Sequence, residues 1–168
     1  MNLSKALSKA RTSRVHRWWL QHLLNWSIPF NRPHGFHVAP LPGGGIRVKV
    51  PYWRINRNHI NGIHACAMAT AAEMCSGLSV LELLDPRRFR LIMRSLQVEY
   101  HYQARKAAYA TSMPAQEDIE RRVLEPLKHA DKVTYASTVR IEDEDGTHLA
   151  TANVEWQIKE WEKVRTAK

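Results

Sequence analysis

Residues 63–75, "IHACAMATAAEMC", are built almost entirely from Ala, Met, Cys, Ile and Thr. A helix of that composition has no polar face, so it must be covered on every side. The apolar pattern predicts a helix over residues 62–84, weakened in its middle by Gly77 and stopped by Asp85-Pro86. Whatever else the chain forms has to wrap this element. Glu73 nevertheless sits inside it, and no Asp or Glu precedes Glu73 in the chain. A carboxylate there needs a reason.

The flanking segments have a different period. "IRVKV" alternates at Ile46, Val48 and Val50, and "RLIMRSLQVEYHYQAR" alternates at Leu96, Val98, Tyr100 and Tyr102. "KAAYATSM" reads as a further strand. Met113-Pro114 opens a helix with Ile119, Val123 and Leu127 on one stripe. "KVTYASTVRI" and "HLATANVEWQI" flank an Asp145-Gly146 turn and predict a hairpin. Residues 4–27 read as one helix, with Trp18, Trp19, Leu23 and Trp26 along one side and Lys5, Lys9, Arg11, Arg14 and Arg17 before them. Docking of that helix on the domain or on a second subunit is preferred to interfacial membrane contact, because the segment is short and ends at Pro29. Residues 28–45 are rich in Pro and Gly and read as turns. Gly43–Gly45 lack the Gly-Lys-Ser/Thr of a phosphate loop. The resulting class is α+β: an antiparallel sheet curved around a long central apolar helix, with an extra N-terminal helix. Residues 1–30 are a basic, Trp-rich extension and 31–168 the main domain.

At 168 residues the chain suits a single domain with a substantial core. It carries a net charge of +9, distributed unevenly. Residues 1–72 hold ten Lys/Arg and no acid, and the remainder is close to neutral. Such a basic segment suits nucleic acid, an anionic membrane or a phosphorylated small molecule. The basic residues are dispersed and form no recognised motif, which argues against nucleic acid. Cys66 and Cys75, the only cysteines, fall on opposite faces of the helix and read as unpaired apolar residues. With no disulfide framework, no apolar run judged long enough to span a bilayer and no clear leader, the expected location is cytoplasmic.

The stretch Asn58–Gly77 carries a resemblance. Asn58, five residues, His64-Ala65, then Glu73 nine residues after the His is similar to the pattern of the hotdog-fold acyl-CoA thioesterase superfamily. It most resembles the small single-domain, thioesterase-like family of uncharacterised function (DUF4442-like), over roughly residues 35–160, with the first 30 residues outside the match. The tail "EDEDGTHLATANVEWQI" looks like that family's last hairpin. The resemblance implies acyl-CoA or another acyl thioester as substrate, with CoA as part of the substrate and no separate cofactor. It also implies a dimer, in some relatives paired into a tetramer. Two positions depart from the pattern. Ala65 stands where typical thioesterases have Gly, and Gly77 stands where some relatives carry a hydroxyl, leaving Ser76 or Thr70 to supply one.

The chemistry assigns roles on this basis. Burial raises a carboxyl's pKa, which suits Glu73 to act as base or nucleophile. The Ala65 N–H at the helix start is the oxyanion donor that the resemblance implies. Asn58 would hold the carbonyl or a water. His64 either acts directly or holds its loop. Nine residues on one straight helix separate His64 from Glu73 by about 13 Å and half a turn. A shared site therefore needs Glu73 of one chain and Asn58, His64 and Ala65 of another. The plain alternative for Glu73 is a salt-bridged structural acid. His59 reads as exposed or structural, and Tyr100, Tyr102 and Trp156 read as sheet packing. His34 and His37 have no Cys or acid nearby in sequence, so no metal is expected. Arg54, Arg57, Arg87, Arg88 and Arg90 are candidates for CoA phosphates, with a solvated surface as the simpler reading. The leading function is acyl-thioester hydrolysis. Its alternative is a non-catalytic acyl-thioester or lipid-binding protein on the same fold; a dehydratase ranks below hydrolysis, and a nucleic-acid or membrane-surface binder using the basic first part of the chain comes last.

Overall fold

The computed structural model describes residues 3–164. Six strands form one antiparallel sheet: β1 (His37–Pro40), β2 (Ile46–Val50), β3 (Phe89–Tyr100), β4 (Ala108–Ser112), β5 (Val133–Asp143) and β6 (His148–Glu160). Their order is β1-β2-β4-β5-β6-β3, so β1 and β3 are the edges. The long helix, Ala65–Leu83, packs against β2 to β6. Each strand turns alternate residues toward it: Ile46, Val48 and Val50, then Ala108 and Ala110, then Tyr135, Val139 and Ile141, then Ala152, Val154, Trp156 and Ile158 are all buried.

Small side chains set how closely the helix lies. Opposite Ala110 the Cys75 thiol donates to the backbone carbonyls of Ile46 and Ala110, at 3.1 and 3.3 Å. Trp156 covers the middle of the helix. Its indole N–H donates to Ser76 Oγ at 2.7 Å, and its ring lies 3.2 Å from where a Cβ on Gly77 would stand. Gly77 is therefore a packing residue against the sheet. The other turn of note is at Gly45, held at φ 78°, where a Cβ would stand 2.4 Å from the Ser112 carbonyl oxygen.

Several expectations change. The N-terminal segment is two helices, α1 (Leu3–Thr12) and α2 (Arg14–Ser27), because Ser13 is extended and its hydroxyl accepts from the His16 N–H. α2 docks through Leu20 and Leu24, which are buried, whereas Trp18, Trp19 and Trp26 point to solvent. The apolar stripe read from the sequence is thus the outer face. Residues 37–40, read as turn, form edge strand β1 on β2. The central helix, α3, starts at Ala65, not at 62, because the Asn58 carboxamide oxygen accepts from the Ile60 and Gly62 N–H groups and closes a turn before it. By length and composition α3 would suffice to cross a bilayer, contrary to the sequence expectation, but most of it is buried inside the sheet. Residues 116–127 are one helix, α4, with a π turn where the Glu125 N–H reaches back to the Glu120 carbonyl. Pro126 supplies no N–H to the turn before it, which accounts for the irregularity. The predicted hairpin is β5–β6, with Gly146 at φ 83° in its turn.

Candidate active site

The first half of α3 is not covered all round. Ala67, Met68, Ala71 and Ala72 are buried, but Ala65 and Cys66 are exposed and Ala69, Thr70 and Glu73 only half-buried. Cys66, Ala69, Thr70 and Glu73 recur at helical spacing, so the sheet leaves one stripe open. Glu73 lies on it. Among the described residues it has no hydrogen bond and no ion pair. Burial alone pushes its carboxyl above the ordinary value. The second carboxylate of α3, Glu82, is treated oppositely. It accepts from the Arg11 guanidinium and from the Gly45 N–H, the latter at 3.2 Å. The structural acid of this helix is Glu82; the basic residues near Glu73 in sequence do not reach it.

The start of α3 is held by the loop before it. Asn56, fully buried, donates through Nδ2 to the His34 and Pro51 carbonyls, both at 2.9 Å, and its own carbonyl accepts the His64 N–H at 2.7 Å. His64 is the N-cap: its Nδ1 accepts the Cys66 N–H at 3.1 Å, which leaves the ring proton on Nε2. The Ala65 N–H has no acceptor among the described residues. It remains a free donor at the positive end of a 19-residue helix. Asn58 Nδ2 has no acceptor among the described residues and lies beside this turn, its oxygen being used by the loop.

Tyr100 and Asn56 were not legible as site residues. Tyr100, expected to serve only sheet packing, donates its hydroxyl to the Ala65 carbonyl at 2.9 Å and so ties β3 to the first turn of α3. Burial, with the nearby Cys66, raises its phenol. Asn56 carried no signal beyond its place in "RINRN".

Asn58, His64 and Ala65 are together at the helix start. Glu73 is two and a half turns away on the same helix and meets none of them within one chain. Ser76 is taken by Trp156, so Thr70 is the hydroxyl left on the open stripe, donating to the Cys66 carbonyl at 2.8 Å. His59 is exposed. Cys75 is buried and its thiol is pushed up to about 12, chiefly by desolvation. His34 bonds Asn56 through Nδ1, and among the described residues no cluster of His, Cys, Asp and Glu fits a metal. The five arginines are not brought together. Arg54 and Arg57 lie in the loop before α3, Arg57 5.2 Å over the Tyr52 ring. Arg87, Arg88 and Arg90 follow its far end, roughly 28 Å along the axis. Arg87 pairs with Asp85 and Arg88 with Glu160.

Residues 7–158 match the family described as a domain of unknown function, DUF4442. The chain belongs to this family. The match takes in α2 and the second half of α1, beyond the span expected from the resemblance. Among solved structures, a protein of unknown function from Pseudomonas aeruginosa, described as a probable thioesterase, is 24% identical with a TM-score of 0.77, over 85% of this chain and 95% of its own. A second P. aeruginosa protein, a thioesterase, is 12% identical with a TM-score of 0.67, over 83% and 94%. A thioesterase from Staphylococcus aureus is 14% identical with a TM-score of 0.63, over 78% and 98%. Curated proteins give no match. The fold of this DUF4442 domain is the hotdog fold, a sheet wrapped around one long helix.

Proposed function

We propose that this DUF4442 protein hydrolyses acyl thioesters, acyl-CoA among them, at sites shared between two copies of the chain. One observation carries the reading: Glu73 is a half-buried carboxylate with no partner among the described residues, raised by desolvation alone, on the one stripe of α3 that the sheet leaves open. A carboxylate with no such partner is available to attack a carbonyl or to activate water. The free Ala65 N–H at the helix start has the chemistry of an oxyanion donor. Asn58 Nδ2 would orient the carbonyl, and His64 holds the turn that presents both.

Two features support the dimer. The outer edge of β3 is open over 12 residues and carries exposed Ile92 and Met93 with half-buried Leu96 and Val98; an edge of that length and character pairs readily with another strand. A two-fold pairing there would also cover the α3 stripe and bring Glu73 of one copy toward the start of the other copy's helix.

The test is CoA release from short, long and aromatic acyl-CoAs, with Glu73→Gln beside wild type. The variant is expected to lose about 10²–10⁴-fold in kcat while keeping its fold and its sedimentation as a dimer. Equal activity would remove Glu73 from the chemistry. Tight acyl-CoA binding with no release by wild type would favour the non-catalytic binding protein.

A further inference from the structure

The outward face of α2 is aromatic. Val15, Trp18, Trp19 and Trp26 fall within roughly a third of the helix circumference, opposite the Leu20 and Leu24 that dock on the domain. They are 64%, 56%, 62% and 80% exposed. Phe30, in the turn that follows, is 70% exposed and extends the patch. A docked helix needs one apolar face, and this helix has two.

Its surroundings are uniformly cationic. Beside Trp18 a groove of about 640 Å³ runs between α2 and the β1–β2 edge; Arg14, Arg17, Arg47 and Lys49 line it and no acid does. On the other flank a groove of about 370 Å³ between α1 and α2 has an apolar floor of Ala6, Leu20 and Leu23 and carries Lys9 and His16. The main elements packed against α2 are α1, the turn at Pro29–His34 and β1. All lie within the acid-free first 72 residues.

From this we propose that the outer face of α2 is a docking surface for a membrane carrying anionic phospholipid. Tryptophans seat at headgroup depth, and the flanking arginines meet lipid phosphates. Charge selects this occupant over a second copy of the chain. A two-fold contact would set the same acid-free cationic patch against itself, with no carboxylate on either side to relieve the repulsion. The surface is separate from the open stripe of α3, so the inference does not depend on the hydrolase reading.

Co-sedimentation of the full chain with vesicles tests it. Phosphatidylcholine vesicles doped with phosphatidylglycerol should bind the protein, pure phosphatidylcholine should bind little, and added salt should weaken the binding. The double variant Trp18→Ala/Trp26→Ala should lower partitioning by about tenfold or more, and Arg14→Glu/Arg32→Glu, the second an exposed arginine that lines a groove with Trp26, should do the same on anionic vesicles. These side chains are exposed, and an unchanged thermal transition checks that the fold survives. Absence of binding to anionic vesicles overturns the proposal. So does binding that ignores the tryptophan variants. Trp18/Trp26-dependent self-association without lipid would assign the face to a second copy, and tighter retention by duplex DNA or RNA than by vesicles would assign it to nucleic acid.

Discussion

Glu73 and Glu82 allow one substitution to be made twice on the same helix with opposite expected results. The Glu82 side chain is 8% exposed and faces Arg11, whose side chain is 20% exposed and also donates Nε to the Leu41 carbonyl at 2.8 Å. Glu82→Gln keeps an acceptor for Gly45 but leaves the guanidinium without its counter-charge. Breaking a buried pair in this way costs roughly 3–5 kcal/mol. Arg11 retains some solvent and one carbonyl, so the expected loss is about 3 kcal/mol, or roughly 6–12 °C in Tm for a domain of this size. Glu73→Gln removes a charge that has no partner among the described residues. The folded state raises the Glu73 pKa above 4.5, so it holds that proton more tightly than the unfolded chain does. The stability contributed by this group is therefore complete below the unfolded pKa and is lost as pH rises through the raised folded one. At neutral pH the Gln variant should be at least as stable as wild type, and that advantage should vanish toward about pH 4, near the unfolded value. Urea denaturation at both pH values, at matched protein concentration so that association does not intrude, measures both effects. A loss of about 3 kcal/mol in Glu73→Gln would reveal a counter-charge and make Glu73 a structural acid. A loss below about 1 kcal/mol in Glu82→Gln would show that Arg11 and Glu82 behave as a surface pair.

Two further results are expected. Cys75, which is buried within its own chain and which burial holds near 12, should resist iodoacetamide in the native protein, and mass spectrometry should find its adduct only after unfolding. Gly45→Ala, which places a methyl group against the Ser112 carbonyl at positive φ, should cost about 2 kcal/mol or more in thermal or chemical denaturation.

The amino-acid sequence alone determined the architecture. An apolar run with no polar face has to be enclosed, and the period-two segments around it supply a sheet able to cover most of it, so helix and strands point to one answer. The turn chemistry at Asp145-Gly146 was legible for the same reason, because it depends on neighbours in sequence, whereas the Asn58-to-Glu73 spacing stood out only by its resemblance to a family pattern. What failed was what depends on the other side of a contact. The tryptophans of α2 look like a docking stripe until the fold uses Leu20 and Leu24 instead. Gly77 looks like a missing hydroxyl until Trp156 lies across it. Tyr100 looks like sheet packing until its hydroxyl reaches Ala65. Most of all, two glutamates nine residues apart on one helix are alike in sequence. Only the tertiary structure gives Glu82 an arginine from α1 and leaves Glu73 on an uncovered stripe, because the charge state and freedom of a carboxylate are set by what long-range packing brings within a few ångströms of it.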